Sequence, residues 1–564
     1  MPKHTQSTLE IEKKLPVHIV KVRKWYYARR TERVNGKPKV VFSYPLGTAD
    51  EILARAMNAA PDLDQLTFQT FEFGKPAALL AIAQELKFFE IVSKATGTPL
   101  TNNFSTAHFL FAIIAGRAHG PLSKSATGDW FENTYLNLLW APRQDLSCQN
   151  FLNHMDKLTP EAIEIISKAL AQRLVDLGLK PTTIFWDPTN FSTCMDQWDD
   201  DGLVQPGNAK DKRFDKNLVT LGIATSKEAI PILHEVAAGN EHDVTIFNNI
   251  IDRLTRRLTD MRIPLDDLVL VMDKGNNSPD NIEAVLDKMH IIGGLKRNQF
   301  PELMTVPLGE FMFLYKTDKN HIVKGYRTRC EIEDRIMTVV VTYNEGTAKR
   351  QGRRWVKNKK KILEGMKEIE VSYGRKEGKG RRMTLKGLTA KIHDLVNRQY
   401  RSVLWFEVDQ KNRRLDWGID SKKETELKRS FGKSVLFTDR SDWSTKRIAK
   451  TYAGKYVVED DFKWFHQKIL LPAIPIYHHS DSEDRIRAHM FLCVVGMILF
   501  RYMAMKLKKL GASAKELWDE LEHLRAILVQ DKRTKAVRFA MEQMTVTQAK
   551  AFNRLDLGRY LPQG

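Results

Sequence analysis

The sequence predicts an α/β protein: a core of alternating strands and helices, interrupted by a β-rich insertion and flanked by an N-terminal β module and helical regions. Three observations carry that prediction. Two short apolar runs each end on an aspartate, Thr182-Thr183-Ile184-Phe185-Trp186-Asp187 and Leu268-Val269-Leu270-Val271-Met272-Asp273. Pro188 stops the first, and the turn Lys274-Gly275-Asn276-Asn277 follows the second. A buried strand delivers one side chain to a sheet edge in this way. Second, strand-like and helix-like runs alternate between and after the two aspartates. Third, this alternation stops after residue 300, where a densely basic stretch takes its place.

At 564 residues the chain is too long for one core. Hydrophobic content is 42 %, but 89 lysines and arginines stand against 69 acids, a net charge of +20. Such a surplus suits a polyanionic partner, nucleic acid or an anionic membrane. No uninterrupted apolar run reaches the ~20 residues of a membrane span. The best candidate, Met490 to Met505, is broken by Arg501 and reads as a buried helix, so no membrane association is expected. Met1-Pro2-Lys3-His4 leads into polar sequence without a secretory signal, and Cys148, Cys194, Cys330 and Cys493 are scattered with no CxxC. That pattern argues against a disulfide framework or zinc site and for a reducing cytoplasm.

Residues 1–75 read as a β-rich module. Strand-like runs flank the turn Val34-Asn35-Gly36-Lys37, a hairpin signal, and basic and aromatic residues interleave along them. The module suits DNA contact as well as it suits an ordinary solvated sheet. Residues 76–176 carry helical patterns at Ala77–Leu86, Thr106–Ile114 and Pro160–Leu177. This region is either a plain bundle or a helix-turn-helix able to hold a DNA end.

The core proper occupies 177–300. The strand ending at Asp187 is followed by a basic loop with Lys210, Lys212, Arg213 and Lys216, then strands at Asn217–Ala224 and Ile230–Ala237. Asp243 opens a helix to Leu258, the strand ending at Asp273 follows, and Pro279 starts a second helix. Ile291–Lys296 is the last strand. Three strands, helix, strand, helix, strand is the order of a ribonuclease-H-like core, in which the ends of the first and fourth strands lie side by side. Asp187 and Asp273 then meet at one edge, a carboxylate pair suited to a metal.

Residues 301–433 read as a β-rich insertion with an exposed basic arm. Lys349 to Lys391 holds 16 lysines and arginines, including Arg353 and Arg354, against four glutamates. That density, with Trp355 and Tyr373, favours nucleic-acid backbone binding over a merely solvated face. The second part of the core, 434–510, holds a strand from Ser434, a helix from about Ser444 to Tyr452 and a long helix from Asp484 to Leu507. The remainder, 511–564, reads as helices with basic outer faces. Between the two helices of the second part, Tyr456, Phe462 and Phe465 fall near one helical face with Glu459 alongside. On spacing alone Glu459 is a solvent-facing residue or a third metal ligand.

Taken together, these residues resemble an insertion-sequence transposase of the DDE type, in the superfamily with a Tyr-Arg-Glu-Lys signature. In that signature two residues separate Tyr from Arg, three separate Arg from Glu and six separate Glu from Lys. Here those places hold Tyr452, Lys455, Glu459 and His466, so Tyr and Glu match while Lys replaces Arg and His replaces Lys. Further likenesses are the Lys210–Asp215 loop, Gly239-Asn240 with Asp243, and Tyr477-His478 through Ile486-Arg487-Ala488-His489.

The resemblance implies that Asp187, Asp273 and Glu459 are catalytic and bind two Mg²⁺ ions, with Mn²⁺ able to substitute, and that Asp187 bridges both. It implies that Tyr452, Lys455 and His466 contact phosphates of the transposon end. Lys keeps the charge of Arg without its bidentate fork, and His is a weaker phosphate contact than Lys. Lys274 and Lys296 either touch substrate phosphate or balance the acids, and Lys210, Arg213, Arg353 and Arg354 complete the expected DNA contacts. The implied partner is double-stranded DNA, both transposon ends and target, held by a homodimer in a prokaryotic, nucleoid-associated setting. The implied reaction frees 3′-hydroxyls at terminal inverted repeats and joins them to target. The alternatives are an inactive or repurposed DNA-binding relative, and a metal-dependent nuclease of the same fold without strand transfer. Asp460, Asp461 and Glu483 are the next acids in line should Glu459 not be the third ligand.

Overall fold

The computed structural model describes residues 17–34, 36–57, 63–100, 104–120, 122–193, 195, 201–207, 209, 216–375, 383–456, 482–532 and 535–561. The chain divides into two compact units, one from Met1–Phe71, Arg525–Gln543 and Leu561–Gly564, the other from Glu72–Leu524 and Met544–Tyr560.

In the first unit, strands His18–Val22, Trp25–Val34 and Lys37–Thr48 form an antiparallel meander. Gly36 has φ +77° in the turn where Val34 pairs with Lys37, a backbone region open to glycine at no steric cost. A helix, Ala49–Met57, follows. Strand Leu66–Glu72 sits at the edge of a second sheet with Arg525–Asp531 and Val537–Met541. The expectation that 511–564 is helical is therefore corrected: among the described residues there, only Ala514–Glu522 and Val546–Arg554 form α-helices. The apolar run Ala526-Ile527-Leu528-Val529 pairs on one side with Leu66–Glu72, far upstream in the chain, and no local pattern reveals that.

The second unit begins with helices. Gly74–Glu85 and Thr106–His119 bury nearly every side chain, so neither presents a free face to a DNA groove. Pro160–Asp176 starts at Pro160 with Thr159 as its cap, whose hydroxyl accepts from the Ala162 N–H at 3.2 Å.

A nine-stranded mixed sheet follows. Its elements, in chain order, are β1 (Thr183–Thr193), β2 (Asn217–Ser226), β3 (Pro231–Ala238), α1 (Asp243–Asp260), β4 (Val269–Met272), α2 (Pro279–Leu286) and β5 (His290–Leu295). Next come β6 (Met312–Lys316), β7 (Ile322–Ile332), β8 (Arg335–Asn344), α3 (Glu345–Tyr373), β9 (Lys433–Thr438), α4 (Thr445–Ala453) and α5 (Glu483–Leu507). The spatial order is β6-β7-β8-β9-β5-β4-β1-β2-β3. β4 runs parallel to both β1 and β5, and the remaining pairs are antiparallel. One face of the sheet is packed by α1, whose Ile246, Phe247, Ile250, Ile251, Leu254 and Leu258 recur every three or four residues against Trp186, Leu270 and Met272. Gly222 on β2 leaves the space that the Trp186 ring fills.

Two readings change. β1 does not stop at Pro188 but continues to Thr193, paired with β2 throughout. Proline is tolerated because β4 ends at Met272, leaving β1 one neighbour there among the described pairings. The segment 301–433 is not β-rich throughout. Its first three strands extend the main sheet, and the rest of its described residues are helical around α3 with one hairpin, Leu404–Asp409 and Arg414–Ile419. α3 buries Trp355, Ile362, Met366, Ile369 and Tyr373 in a separate small core. Trp355 and Tyr373 are thus core residues rather than nucleic-acid contacts; the surrounding lysines mask their helical spacing. α5 with its 3₁₀ extension to Leu510 is long and apolar enough to cross a membrane, but its most apolar stretch is 78 % buried inside the protein. The described cysteines, Cys148, Cys330 and Cys493, are free.

Candidate active site

The site forms where parallel pairing ends. Phe185 pairs with Val271 and Trp186 with Met272, and one residue further come Asp187 and Asp273. The strand alternation that sends Trp186 into the core turns the neighbouring Asp187 to the opposite face. α4 covers that face. A Cβ at Gly454, just past the end of α4, would come within 2.6 Å of the Phe185 ring.

α4 starts at Ser444, whose hydroxyl accepts from the Arg447 N–H at 3.2 Å. Thr445, Ile448 and Ala449 form its buried stripe, and Tyr452 continues that stripe by one turn. The Tyr452 hydroxyl passes over β5 at Gly294, where any Cβ would collide with it. It donates to Asp273 Oδ1 at 3.2 Å. Lys455 Nζ reaches the same oxygen at 2.9 Å. Burial pushes the Asp273 carboxyl up, but the Lys455 ammonium and the donors around it outweigh burial and hold it below its ordinary value. Burial pushes the Tyr452 phenol up, so it stays a donor at neutral pH.

The loop after Asp273 is held from behind. Asn281 Nδ2 donates to the Asn276 carbonyl at 2.9 Å and to the Val244 carbonyl at 3.2 Å, and Asn277 donates to the Gly294 carbonyl. Asp243, in the first turn of α1 after the cap residue His242, lies with Oδ2 3.4 Å from where a Gly275 Cβ would stand.

A cleft of about 870 Å³ opens beside Asp273. Lys274, Lys296, Arg354, Tyr452 and Lys455 all line it, so five expected DNA contacts from four separate segments converge. Arg353 is exposed on α3 outside this lining, and Asp187 is also outside it. Glu459, His466, Lys210 and Arg213 lie outside the described residues. Glu483, next in line as a ligand, accepts the Leu203 N–H at 2.7 Å.

Sequence reasoning missed Arg297 and Arg398, which line the same cleft. Burial lowers the Arg297 guanidinium pKa, and no ion pair with a described carboxylate offsets that cost. The signal was present: Arg297 directly follows Lys296 at a strand end. Arg398 had none, because it enters from the insertion, about a hundred positions away in sequence.

Asp187 and Asp273 offer hard oxygen donors, and Asp273 already draws a cationic ammonium to its carboxylate. Both features fit Mg²⁺ or Mn²⁺. Among the described residues no group of three or more His, Cys, Asp or Glu stands together in a metal-holding arrangement.

A family model described as the transposase DDE domain matches residues 178–494, more than half of the chain. That span runs from just before β1 into α5 and includes the insertion. No curated protein matches the chain.

Proposed function

The chain belongs to the transposase DDE-domain family, and from that premise we propose that it cuts DNA at the terminal inverted repeats of an insertion sequence and joins the freed 3′-hydroxyls to target DNA. The observation that carries this reading is the pairing of β1 with β4, which ends at Trp186 and Met272, one residue before Asp187 and Asp273, next to a basic cleft that Asp273 lines. The order β5-β4-β1-β2-β3 supports assigning the core to the ribonuclease-H-like class.

In this reading Asp187, Asp273 and Glu459 hold two divalent ions. When bound, Mg²⁺ or Mn²⁺ neutralises charge on the scissile phosphate and makes water or a 3′-hydroxyl nucleophilic at neutral pH. The protein's own part is positioning. Lys274, Lys296 and Arg354 hold phosphates along the cleft, with Arg297 and Arg398 supplying forked donors. Tyr452 orients Asp273. Lys455, paired with Asp273 here, lines the same cleft and would offer its ammonium to the DNA backbone. His466, Lys210, Arg213 and Arg353 extend the contact surface, and Lys455 and His466 fill the Arg and Lys places of the Tyr-Arg-Glu-Lys signature. Two ends must be brought together, so the working form is a dimer on DNA, in a prokaryotic cytoplasm.

The test is cleavage of duplexes taken from the DNA flanking the reading frame, with Mg²⁺ or Mn²⁺ and with chelator. Wild type should cut only with metal. Asp187→Asn, Asp273→Asn and Glu459→Gln should each abolish cutting while end binding persists. Binding without cutting by wild type would instead mark a repurposed DNA-binding relative. Cutting without joining of a pre-cut end to plasmid would mark a nuclease. Robust cutting by Glu459→Gln would move the third ligand to Asp460 or Asp461.

A further inference from the structure

The N-terminal meander has a composition and an exposure that the cleavage site does not account for. Residues 17–48 hold eight lysines and arginines and a single acid, Glu32. Among the described residues of 18–46, no side chain is buried on either face. Ile19 is 68 % exposed and Tyr44 50 %. Three strands ordinarily need an apolar face packed against something to be stable, and among the described residues neither face of this sheet is covered.

The two faces differ. Pairing of His18 with Arg29, Val20 with Tyr27 and Val22 with Trp25 puts these residues on one side. Arg29 pairs with Ser43, Thr31 with Val40 and Arg33 with Pro38 on that same side. Strand Trp25–Val34 therefore carries a comb of Trp25, Tyr27, Arg29, Thr31 and Arg33, on a face with no carboxylate. Arg29 is fixed there: its Nε donates to Ser43 Oγ at 3.2 Å and its guanidinium lies 5.0 Å from the Tyr27 ring centroid. On the opposite face Arg30 is neutralised by Glu32 at 3.1 Å, and Lys21 lies over Tyr26.

We propose that this sheet is a duplex-reading module, which lays the Trp25-Tyr27-Arg29-Thr31-Arg33 comb into the major groove of DNA. The inference rests on the DNA-directed reading above. The major groove admits a β-ribbon, and an arginine fork matches the O6 and N7 acceptors of guanine there. A guanidinium held in advance by Tyr27 and Ser43 loses less freedom on binding than a free one. Arg29 and Arg33 are four residues apart, about 13 Å along a strand, so they address bases roughly four steps apart at about 3.4 Å per base pair. Trp25 and Tyr27 supply apolar contact to thymine methyl groups. Arg23 and Lys24, exposed in the turn between the paired Val22 and Trp25, sit at one end of the comb and reach the flanking phosphates.

The test measures binding by the full chain in chelator, so that it does not depend on catalysis. Duplexes from the flanking DNA are compared with scrambled duplexes of equal composition. Arg29→Ala with Arg33→Ala should reduce the preference for flanking DNA at least about tenfold. Arg29→Lys should also lose preference while keeping non-specific affinity, because charge remains and the fork does not. Arg23→Gln with Lys24→Gln should weaken both duplexes alike and flatten the salt dependence, by a slope of about 0.9 for each phosphate no longer neutralised. The proposal is overturned if the Arg29 and Arg33 pair leaves the preference unchanged. It is equally overturned if an RNA duplex of the same sequence competes as well as DNA, since the A-form major groove is too narrow for side chains to read. Selective binding through this sheet without any cleavage would leave the proposal standing and overturn the catalytic reading. Metal-dependent cleavage with sheet-independent binding would do the reverse.

Discussion

At the scale of single residues, Asp273 is defined by what leans on it. Its carboxyl is half-buried, which raises its pKa, and Lys455 and Tyr452 reverse that. A carboxyl held below its unfolded value stabilises the fold above the ordinary carboxylate range, and that contribution is lost as pH falls through the folded value. Lys455→Ala leaves the burial without its counter-charge, so Asp273 should protonate at higher pH. The metal-free variant should therefore be less stable than wild type above the ordinary carboxylate range, with the difference shrinking as pH falls, as thermal melts followed by circular dichroism check. Gly294 makes a second residue-scale case. Its lack of a Cβ lets the Tyr452 hydroxyl cross β5. Gly294→Ala should displace Tyr452 and cut the cleavage rate by on the order of tenfold to a hundredfold, with DNA binding retained; an unchanged single-turnover rate would refute the orienting role of Tyr452. The sequence shows Gly293-Gly294 plainly, but not that a tyrosine from a distant helix needs the space.

At the scale of elements, α3 shows how a charge run conceals a core helix. Glu424 accepts from Trp355 Nε1 at 2.9 Å and pairs with Lys359 and Lys428, each at 2.8 Å. Burial raises the Glu424 carboxyl, but these three donors bring it down to about 2. Glu424→Gln should destabilise the protein by about 1–3 kcal/mol near neutral pH. Because the folded value is depressed, this difference should shrink as pH falls from the ordinary glutamate range near 4.5 toward 2. Thermal melts across that range check it, and a pH-independent difference would mean that the charge is irrelevant. The local sequence reveals the lysine density of 349–391 directly. It does not reveal the role of Trp355, whose indole N–H finds its partner on another helix, beyond any window of neighbouring residues.

At the scale of the whole molecule, the first unit is assembled from both ends of the chain. Thr67 Oγ1 donates to the Gln530 carbonyl at 3.3 Å and the Lys532 N–H to the Gln65 carbonyl at 2.8 Å. Strand Arg525–Asp531 is central in its sheet, so a proline there removes a ladder hydrogen bond. Val529→Pro should therefore open Leu66–Phe71 to limited proteolysis while the nine-stranded unit stays resistant. Equal resistance of both units would argue that the C-terminal strands are dispensable.

What the sequence by itself determined was the local and the periodic. Apolar runs ending on Asp187 and Asp273, the helix starts at Pro160, Pro279 and Ser444, and the alternation of strands and helices from 177 to 300 are all short-range patterns. Helical and strand periodicity record them directly. The tertiary structure alone decided what depends on pairing between distant segments. That includes the continuation of β1 past Pro188, the three strands that β6, β7 and β8 add to the main sheet, and the union of the chain ends in one unit. It also includes the meeting of Lys455, Tyr452 and Gly294 around Asp273. Closure of long loops leaves no mark on nearby residues, so a strand's partner, and the cavity that the partner completes, become visible only once the chain has folded.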